Sequence, residues 1–199
     1  MVMSELSGIA ERKSALRSEA AARRDALPAP MRQAAAEAIA GRAFPAPITP
    51  GTVVSGFMPM KTEINPLPLM KALAEAGATL ALPKIARRGE PLIMRVWAWG
   101  APLDTGQWGI REPKADAPEV DPDIVLVPLL AFDRTGQRIG YGAGYYDMTI
   151  VRLRSRKVVI AAGIAFAAQE VSAVPVADYD APLDLLLTER EVIDFRRSA

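Results

Sequence analysis

Apolar positions along this chain follow two periods. Over residues 4–26, Leu6, Ile9, Leu16 and Ala20 recur at threes, fours or their sums, the spacing of one helical face. Lys13 interrupts that stripe at its centre, where a cation is costly unless it meets an anion or snorkels. Arg17 lies one turn further on, beside it. Pro28 and Pro30 break the chain before a second, alanine-rich helix over 31–43. A Pro/Gly-rich connection at 45–51 leads into an apolar strand at 52–58, a helix at 66–76 closed by Gly77, and a strand at 78–82. This β-helix-β alternation predicts a parallel sheet with right-handed crossovers. Residues 92–97 read as another strand. The nearly continuous apolar run 124–127, opened by Asp123, suits a central strand covered on both faces. A helix at 145–154, a buried strand at 158–166 and a last strand at 184–189 complete the pattern, with an irregular segment at 174–182.

Composition narrows the chemistry. The 199 residues suit one domain with a substantial core. With 24 basic against 23 acidic residues, no global field recruits nucleic acid or an anionic membrane, so any anion site must be local. No run is long enough to span a bilayer, and the N-terminus reads as a polar amphipathic helix rather than a signal peptide; a cytoplasmic location is expected. Cysteine is absent, which excludes disulfides and thiol catalysis. Histidine is absent too, which removes the usual general base, the Ser-His-Asp constellation and most zinc sites. Carboxylates, Lys, Arg, Tyr, backbone amides or a hard, oxygen-bound cation remain.

Those groups concentrate in TGQRIGYGAGYYD at 135–147. Gly140, Gly142 and Gly144 alternate, so the backbone can take positive φ and approach a ligand where a Cβ would collide. Successive exposed amides there form an anion nest, and a helix beginning at Tyr145 adds its N-terminal dipole. The glycines alone suit an ordinary turn or β-bulge equally well; with Arg138 before them, Tyr141, Tyr145 and Tyr146 among them and Asp147 closing, the loop reads as a phosphate site. It is not a Rossmann fingerprint, because the run 124–127 ends too early to lead directly into the first glycine, and no Walker A sequence follows. Beyond the first strand sit Met58, Met60, Lys61 and Glu63, where open α/β sheets place ligands. Core filling by the methionines and a helix-start charge at Glu63 are the structural alternatives. Lys61 and Lys84 both follow strands and could face one anion. Trp108, in the flexible-looking GQWGIREP, is either a stacking platform or a plug under a loop. Arg12, Arg23 and Arg24 extend the basic character of the first helix, and a solvated face accounts for all of it equally well. Asp178, Asp180 and Asp184 cluster late in the chain, as turn formers or as ligands of a hard cation.

The segment PLLAFDRTGQRIGYGAGYYD at 128–147 resembles the signature of the 5-formyltetrahydrofolate cyclo-ligases, also called methenyltetrahydrofolate synthetases. KSALR at 13–17, FMPMKTEI at 57–64, WGIREP at 108–113 and VPVADYDAPLDLLLTE at 174–189 match in order, so the resemblance spans nearly the whole chain. It implies an α/β fold, a three-layer α/β/α sandwich with a mainly parallel, Rossmann-like sheet, in a single domain over 1–199. It implies conversion of 5-formyltetrahydrofolate to 5,10-methenyltetrahydrofolate with release of ADP and phosphate, and small-molecule partners only. ATP would be held by Lys13, Arg17, Arg138, Ile139, Gly140, Tyr141, Gly142, Ala143, Gly144, Tyr145 and Tyr146. Folate would be held by Met58, Glu63, Trp108, Tyr141, Gly142, Gly144 and Tyr145, and Mg²⁺ by Asp147 and Asp180. Lys13, Glu63 and Arg138 are the catalytic candidates, with Arg138→Ala expected to abolish turnover and spare the fold. A monomer is expected. Leu129, Met148 and Tyr179 depart from residues usual in the family. A paralogue acting on another formyl or amide substrate and a catalytically silent nucleotide-binding module are the alternatives.

Overall fold

The computed structural model describes residues 2–197, with side chains from 8 to 196, so the Leu6 side chain of the first helical stripe lies outside the described residues. Helices α1 (Val2–Asp25) and α2 (Ala29–Ala40) precede β1 (Val53–Ser55), α3 (Leu67–Glu75), β2 (Thr79–Lys84) and β3 (Ile93–Val96). A small hairpin of β4 (Asp104–Thr105) and β5 (Arg111–Glu112) follows, then β6 (Ile124–Pro128) and a second hairpin of β7 (Ala131–Phe132) and β8 (Arg138–Ile139). The chain continues through α4 (Tyr145–Arg154), β9 (Ile160–Ile164), β10 (Leu185–Leu187) and β11 (Val192–Asp194).

Seven strands form one sheet in the order β11-β10-β9-β6-β1-β2-β3. The five inner strands pair in parallel, and both edge strands are antiparallel to their neighbours. Successive side chains alternate faces. Val54, Leu80, Leu82, Ile124 and Leu126 point to the layer made by α2 and α3, where Ile39, Met70 and Leu73 complete one core. Ala81, Val125, Val127 and Ala161 point the other way, onto Ile150 and Leu153 of α4. Both faces of β6 are therefore covered, which is why its run is uninterrupted by polar residues. No helix among the described residues is long and apolar enough to cross a membrane.

Several expected boundaries shift. The second helix starts before Pro30, which its first turn tolerates because amides there lack intrahelical acceptors anyway. The strand at 185–187 is not the last, since Val192–Asp194 turns back along it as an edge strand. A strand does run into the first glycine of 140–144, contrary to the sequence reading, but it is β8 of the side hairpin and not a strand of the main sheet.

The strand order reverses beside β1. From β1 the chain passes through α3 to β2 on one side, whereas β6 docks on the other and continues outward to β9. The crevice beyond the carboxyl ends of β1 and β6 is thus the topological switch point, where open α/β sheets bind ligands. Residues 56–63 emerge there from β1, and the β7–β8 hairpin emerges from β6. Helix α1 closes over the hairpin by burying Ala20 and Leu16 against Leu130, Ala131, Ile139 and Val174.

Candidate active site

The glycine loop hangs between β8 and α4, and local bonds fix both ends. Buried Asp133 accepts the amides of Thr135 (2.8 Å) and Val174 (2.9 Å), pinning the hairpin tip to the 174–181 segment. Gln169, also buried, donates to the carbonyls of Leu129 (2.7 Å) and Leu130 (3.0 Å), fixing the exit of β6. Within the loop, Gly142 and Gly144 adopt φ of 100° and 70°, while Gly140 does not use a positive φ. Gly144 is the N-cap of α4, and no side chain caps that end. The first-turn amides of α4 have no intrahelical acceptor, the condition under which a helix N-terminus can receive an anion.

Helix α1 supplies the cations. Lys13 is 6% exposed, and its ammonium pairs with Asp180 Oδ2 and lies 5.0 Å from the Tyr179 ring centroid. The anion that a mid-stripe cation requires is therefore Asp180, and the departure at Tyr179 places an aromatic face against the same cation. Arg17 Nε donates to the Gly140 carbonyl at 3.0 Å. Lys13, Arg17, Ala20 and Arg24 share one helix face, so the site side of α1 carries three cations.

Arg138 is 9% exposed and engaged in protein contacts. It donates to the Ala181 carbonyl and, at 2.9 Å, to Asp147 Oδ1, which also accepts the Ala181 amide at 3.1 Å. Burial pulls its pKa below the ordinary arginine value, with Asp147 and Asp180 opposing. Arg138 thus ties the glycine loop, α4 and the Asp180 segment together, and removing it strands Asp147. The expectation that Arg138→Ala leaves the fold intact is corrected accordingly. The Ile139 side chain is core against α1, and its carbonyl accepts the Leu130 amide, so its side chain does not line the crevice.

Across the crevice, Met60 and Glu63 close a turn reciprocally. The Glu63 amide donates to the Met60 carbonyl (2.9 Å), and the Met60 amide donates to Glu63 Oε2 (2.8 Å). Lys61, between them, sits at φ 51°. Glu63 Oε1 is buried without a hydrogen-bond partner. Burial raises the Glu63 pKa above the ordinary carboxylate value, moderated by the Met60 amide, the Arg24 guanidinium and the Tyr141 phenol. Met58, half-buried at the start of this loop, packs on the first core. Burial likewise raises the phenols of Tyr141 and Tyr146, with Glu63 adding to both. These effects bring Glu63, Tyr141 and Tyr146 into one neighbourhood.

Trp108 stands at the tip of the β4–β5 hairpin, 70% exposed, at φ 55°. Its ring centroid is 6.3 Å from that of Tyr145, whose buried hydroxyl has no hydrogen-bond partner. Lys61 and Trp108 are the two non-glycine residues with positive φ among the described residues, and both border the crevice. Such strain collects at functional sites. Lys84 does not join Lys61 on a shared anion; it pairs with buried Glu112 of β5 and anchors the Trp108 hairpin.

Asp147 is held against Ala181, the residue after Asp180, by the Ala181 amide and by Arg138, and each carboxylate already has one oxygen engaged: Asp147 Oδ1 by Arg138 and the Ala181 amide, Asp180 Oδ2 by Lys13 and the Ala177 amide (2.7 Å). Among the described residues, no group of three or more candidate ligands could hold a metal ion. Two carboxylates with one oxygen each to offer fit a Mg²⁺ that arrives with phosphate oxygens and water, not a standing all-protein site. Asp178 is exposed, and Asp184 is structural: it accepts the Ala161 amide (2.7 Å) and an Arg154 donor (2.8 Å).

The sequence reading thus brings Lys13, Arg17, Glu63, Trp108, Arg138, the 140–146 loop, Asp147 and Asp180 to one crevice. It misses Arg24, Thr62, Asp133 and Glu112. Arg24 repeats the phase of Arg17 one heptad later, which is the signal that was available.

A sequence model described as the 5-formyltetrahydrofolate cyclo-ligase family matches residues 9–189. The 5-formyltetrahydrofolate cyclo-ligase of Mycolicibacterium smegmatis is 31% identical over 189 residues, 91% of this chain and 95% of that protein. That of Escherichia coli K12 is 32% identical over 152 residues, 73% of this chain and 82% of that protein. The solved structure of Aquifex aeolicus 5,10-methenyltetrahydrofolate synthetase superposes with a TM-score of 0.76 at 30% identity, covering 92% of this chain and 93% of that one.

Proposed function

The chain belongs to the 5-formyltetrahydrofolate cyclo-ligase family, as an ATP-dependent ligase that converts 5-formyltetrahydrofolate to 5,10-methenyltetrahydrofolate, and we propose that the crevice at the switch point is where it does so. The observation that carries this reading is the convergence, on one end of one sheet, of the α1 cations, the uncapped glycine loop and a buried carboxylate facing an aromatic wall.

A formamide carbonyl is a poor electrophile, and its oxygen is a poor leaving group. In the proposed sequence the formyl oxygen attacks the γ-phosphorus of ATP, the bond to ADP breaks, and an N5-iminium phosphate ester results. N10 then attacks the iminium carbon and loses its proton, the carbon–oxygen bond breaks, and phosphate departs with the electron pair. Phosphoryl transfer depends mainly on positioning and charge neutralisation, so a site without histidine is adequate. Lys13, Arg17 and the amides of 140–146 hold the triphosphate. Arg138, tied to Asp147 and the Ala181 carbonyl, holds the loop that presents those amides and adds its positive charge beneath them. Asp147 and Asp180 would hold Mg²⁺, which when bound neutralises charge on the transferring phosphate.

The aromatic faces of Trp108 and Tyr145, with Met58 and Tyr141, bind the pterin and aminobenzoyl rings. Glu63, whose pKa burial raises and whose carboxylate is thereby made more basic, either accepts the N10 proton or pairs with pterin donors. Incubating the protein with 5-formyltetrahydrofolate, ATP and Mg²⁺ and following the methenyl chromophore tests the proposal. Turnover that requires all three supports it; ATP binding without turnover under any folate condition refutes it in favour of a paralogous substrate or a silent nucleotide module.

A further inference from the structure

Arg24, on the last turn of α1, is 2% exposed, and its ion pair among the described residues is a long one with its neighbour Asp25, whose Oδ1 stands 3.9 Å from Nη2 and whose side chain is half-exposed. Nε donates to Thr62 Oγ1 at 3.0 Å, and the Thr62 hydroxyl donates in turn to Asp25. The guanidinium carbon lies 5.7 Å from the centroid of the Tyr141 ring. Nη1 is buried with no partner, as is Oε1 of Glu63, the residue after Thr62. A buried guanidinium that merely locked a helix to a loop would have its donors met inside the protein. Here a donor and an acceptor, neither with a well-formed bond of its own, flank the Tyr141 hydroxyl, the polar group that interacts with both.

We infer that Arg24 is a positioning residue, which, held by Thr62 and laid against Tyr141, aims the Glu63 carboxylate and the Tyr141 phenol into the folate side of the crevice. The inference rests on the reading that this crevice takes 5-formyltetrahydrofolate. Four groups from four segments face Glu63: Arg24 from α1, the Met60 amide from its own loop, Tyr141 from the glycine loop and Tyr146 from α4. Arg24 is the cation of that set, so its charge favours the ionised carboxylate, and through Thr62 and the Tyr141 ring it fixes the turn and the phenol that flank that carboxylate. Arg17 and Lys13, two and three turns earlier along the same face, act on the nucleotide side. One helix face thus serves both substrates.

The test compares Arg24→Met, Arg24→Lys and Thr62→Val with the unaltered protein. Affinity for 5-formyltetrahydrofolate is titrated across pH, alongside turnover, and affinity for ATP is measured separately. Arg24→Met is expected to weaken folate at least about tenfold, to move the acid limb of the folate profile about one pH unit upward, and to leave ATP affinity within about twofold. Arg24→Lys keeps the charge and restores the limb but not the full affinity. Thr62→Val loses the anchor, weakening folate with the limb unmoved. An unchanged limb and unchanged folate affinity in Arg24→Met overturn the inference, as does a parallel loss of ATP affinity, which marks a general structural role. Should Arg24→Met not fold, a shifted limb in Arg24→Lys or unaltered folate affinity in Thr62→Val overturns it instead. Folate binding without turnover in the unaltered protein would strike the proposed reaction and leave the Arg24 titrations readable.

Discussion

Replacing Gly142 by alanine tests the glycine loop most directly, because the structure separates three glycines that the GxGxG pattern treats alike. At φ 100°, an L-residue pays for a left-handed backbone, at roughly 1–2 kcal/mol. That strain is present with or without ligand, so it appears as lost stability. In a chain of this size about 1 kcal/mol corresponds to about 2–4 °C, giving an expected fall in Tm of about 2–8 °C. The added Cβ would also lie 3.1 Å from Arg17 Cζ and 3.2 Å from its Nε, so the guanidinium must give by a few tenths of an ångström, which loosens its bond to the Gly140 carbonyl. A charge-assisted hydrogen bond is worth about 1.5–3 kcal/mol when wholly lost. Partial loss is expected to lower ATP affinity by up to about tenfold, at about 1.4 kcal/mol per decade. Two controls divide these effects. Gly144→Ala carries strain at φ 70° with open space around its Cβ, so it loses stability without displacing Arg17; Gly140→Ala, with no positive φ and nothing within 4 Å, keeps its Tm. Thermal denaturation and ATP titration on the three variants decide the matter. Equal Tm for Gly142→Ala and Gly140→Ala would refute the strain reasoning, and equal ATP affinity for Gly142→Ala and Gly144→Ala would refute the role given to Arg17.

Glu63→Gln should stabilise the protein at neutral pH while reducing turnover. A carboxyl whose folded pKa is raised contributes its full stability below the unfolded value and loses it as pH rises through the folded value, so the variant's Tm advantage should open above the ordinary carboxylate range and vanish in acid; an advantage that instead grew toward acid would be wrong in sign. The same group predicts an acid limb of kcat/KM for the folate above the usual range for a glutamate. Arg138→Ala is expected to cost about 3–5 kcal/mol of stability, because it leaves the Asp147 carboxylate without its cation, and a denaturant midpoint equal to the unaltered protein's would return Arg138 to a purely chemical role. Trp108→Ala, exposed at the hairpin tip, should leave stability within about 0.5 kcal/mol and raise the KM for the folate but not for ATP. Glu112→Gln, which unpairs Lys84 beneath that hairpin, should raise the same KM by a smaller factor, measurable by initial rates with each substrate varied in turn.

Local pattern was enough to establish the α/β class. Periods of about 3.6 and 2 encode which face an element buries, and the unbroken run 124–127 announces a strand covered on both sides. The glycine loop was legible because left-handed and closely approached backbone demands glycine whatever the fold around it. Lys13 declared itself as a cation on an apolar stripe, although its partner Asp180 stands 167 positions away and no local signal names it. The side hairpins escaped notice because two-residue strands carry almost no period, and β11 because a three-residue edge strand half-buried on both faces, with Val192 on one core and Ile193 on the other, lacks a distinct apolar alternation. Arg24 read as one more solvated arginine, since burial of a charged side chain depends on what closes over it, here the Thr62 turn and the Tyr141 ring. Arg138 read as a nucleotide ligand alone, and its bonds to the Ala181 carbonyl and Asp147 add a structural tie that no local signal announces. Short-range sterics and amphipathicity act within a turn or a strand, and so can be read from the chain itself. Which charge meets which, and which of them stays buried, is decided by segments that only the folded sheet brings together.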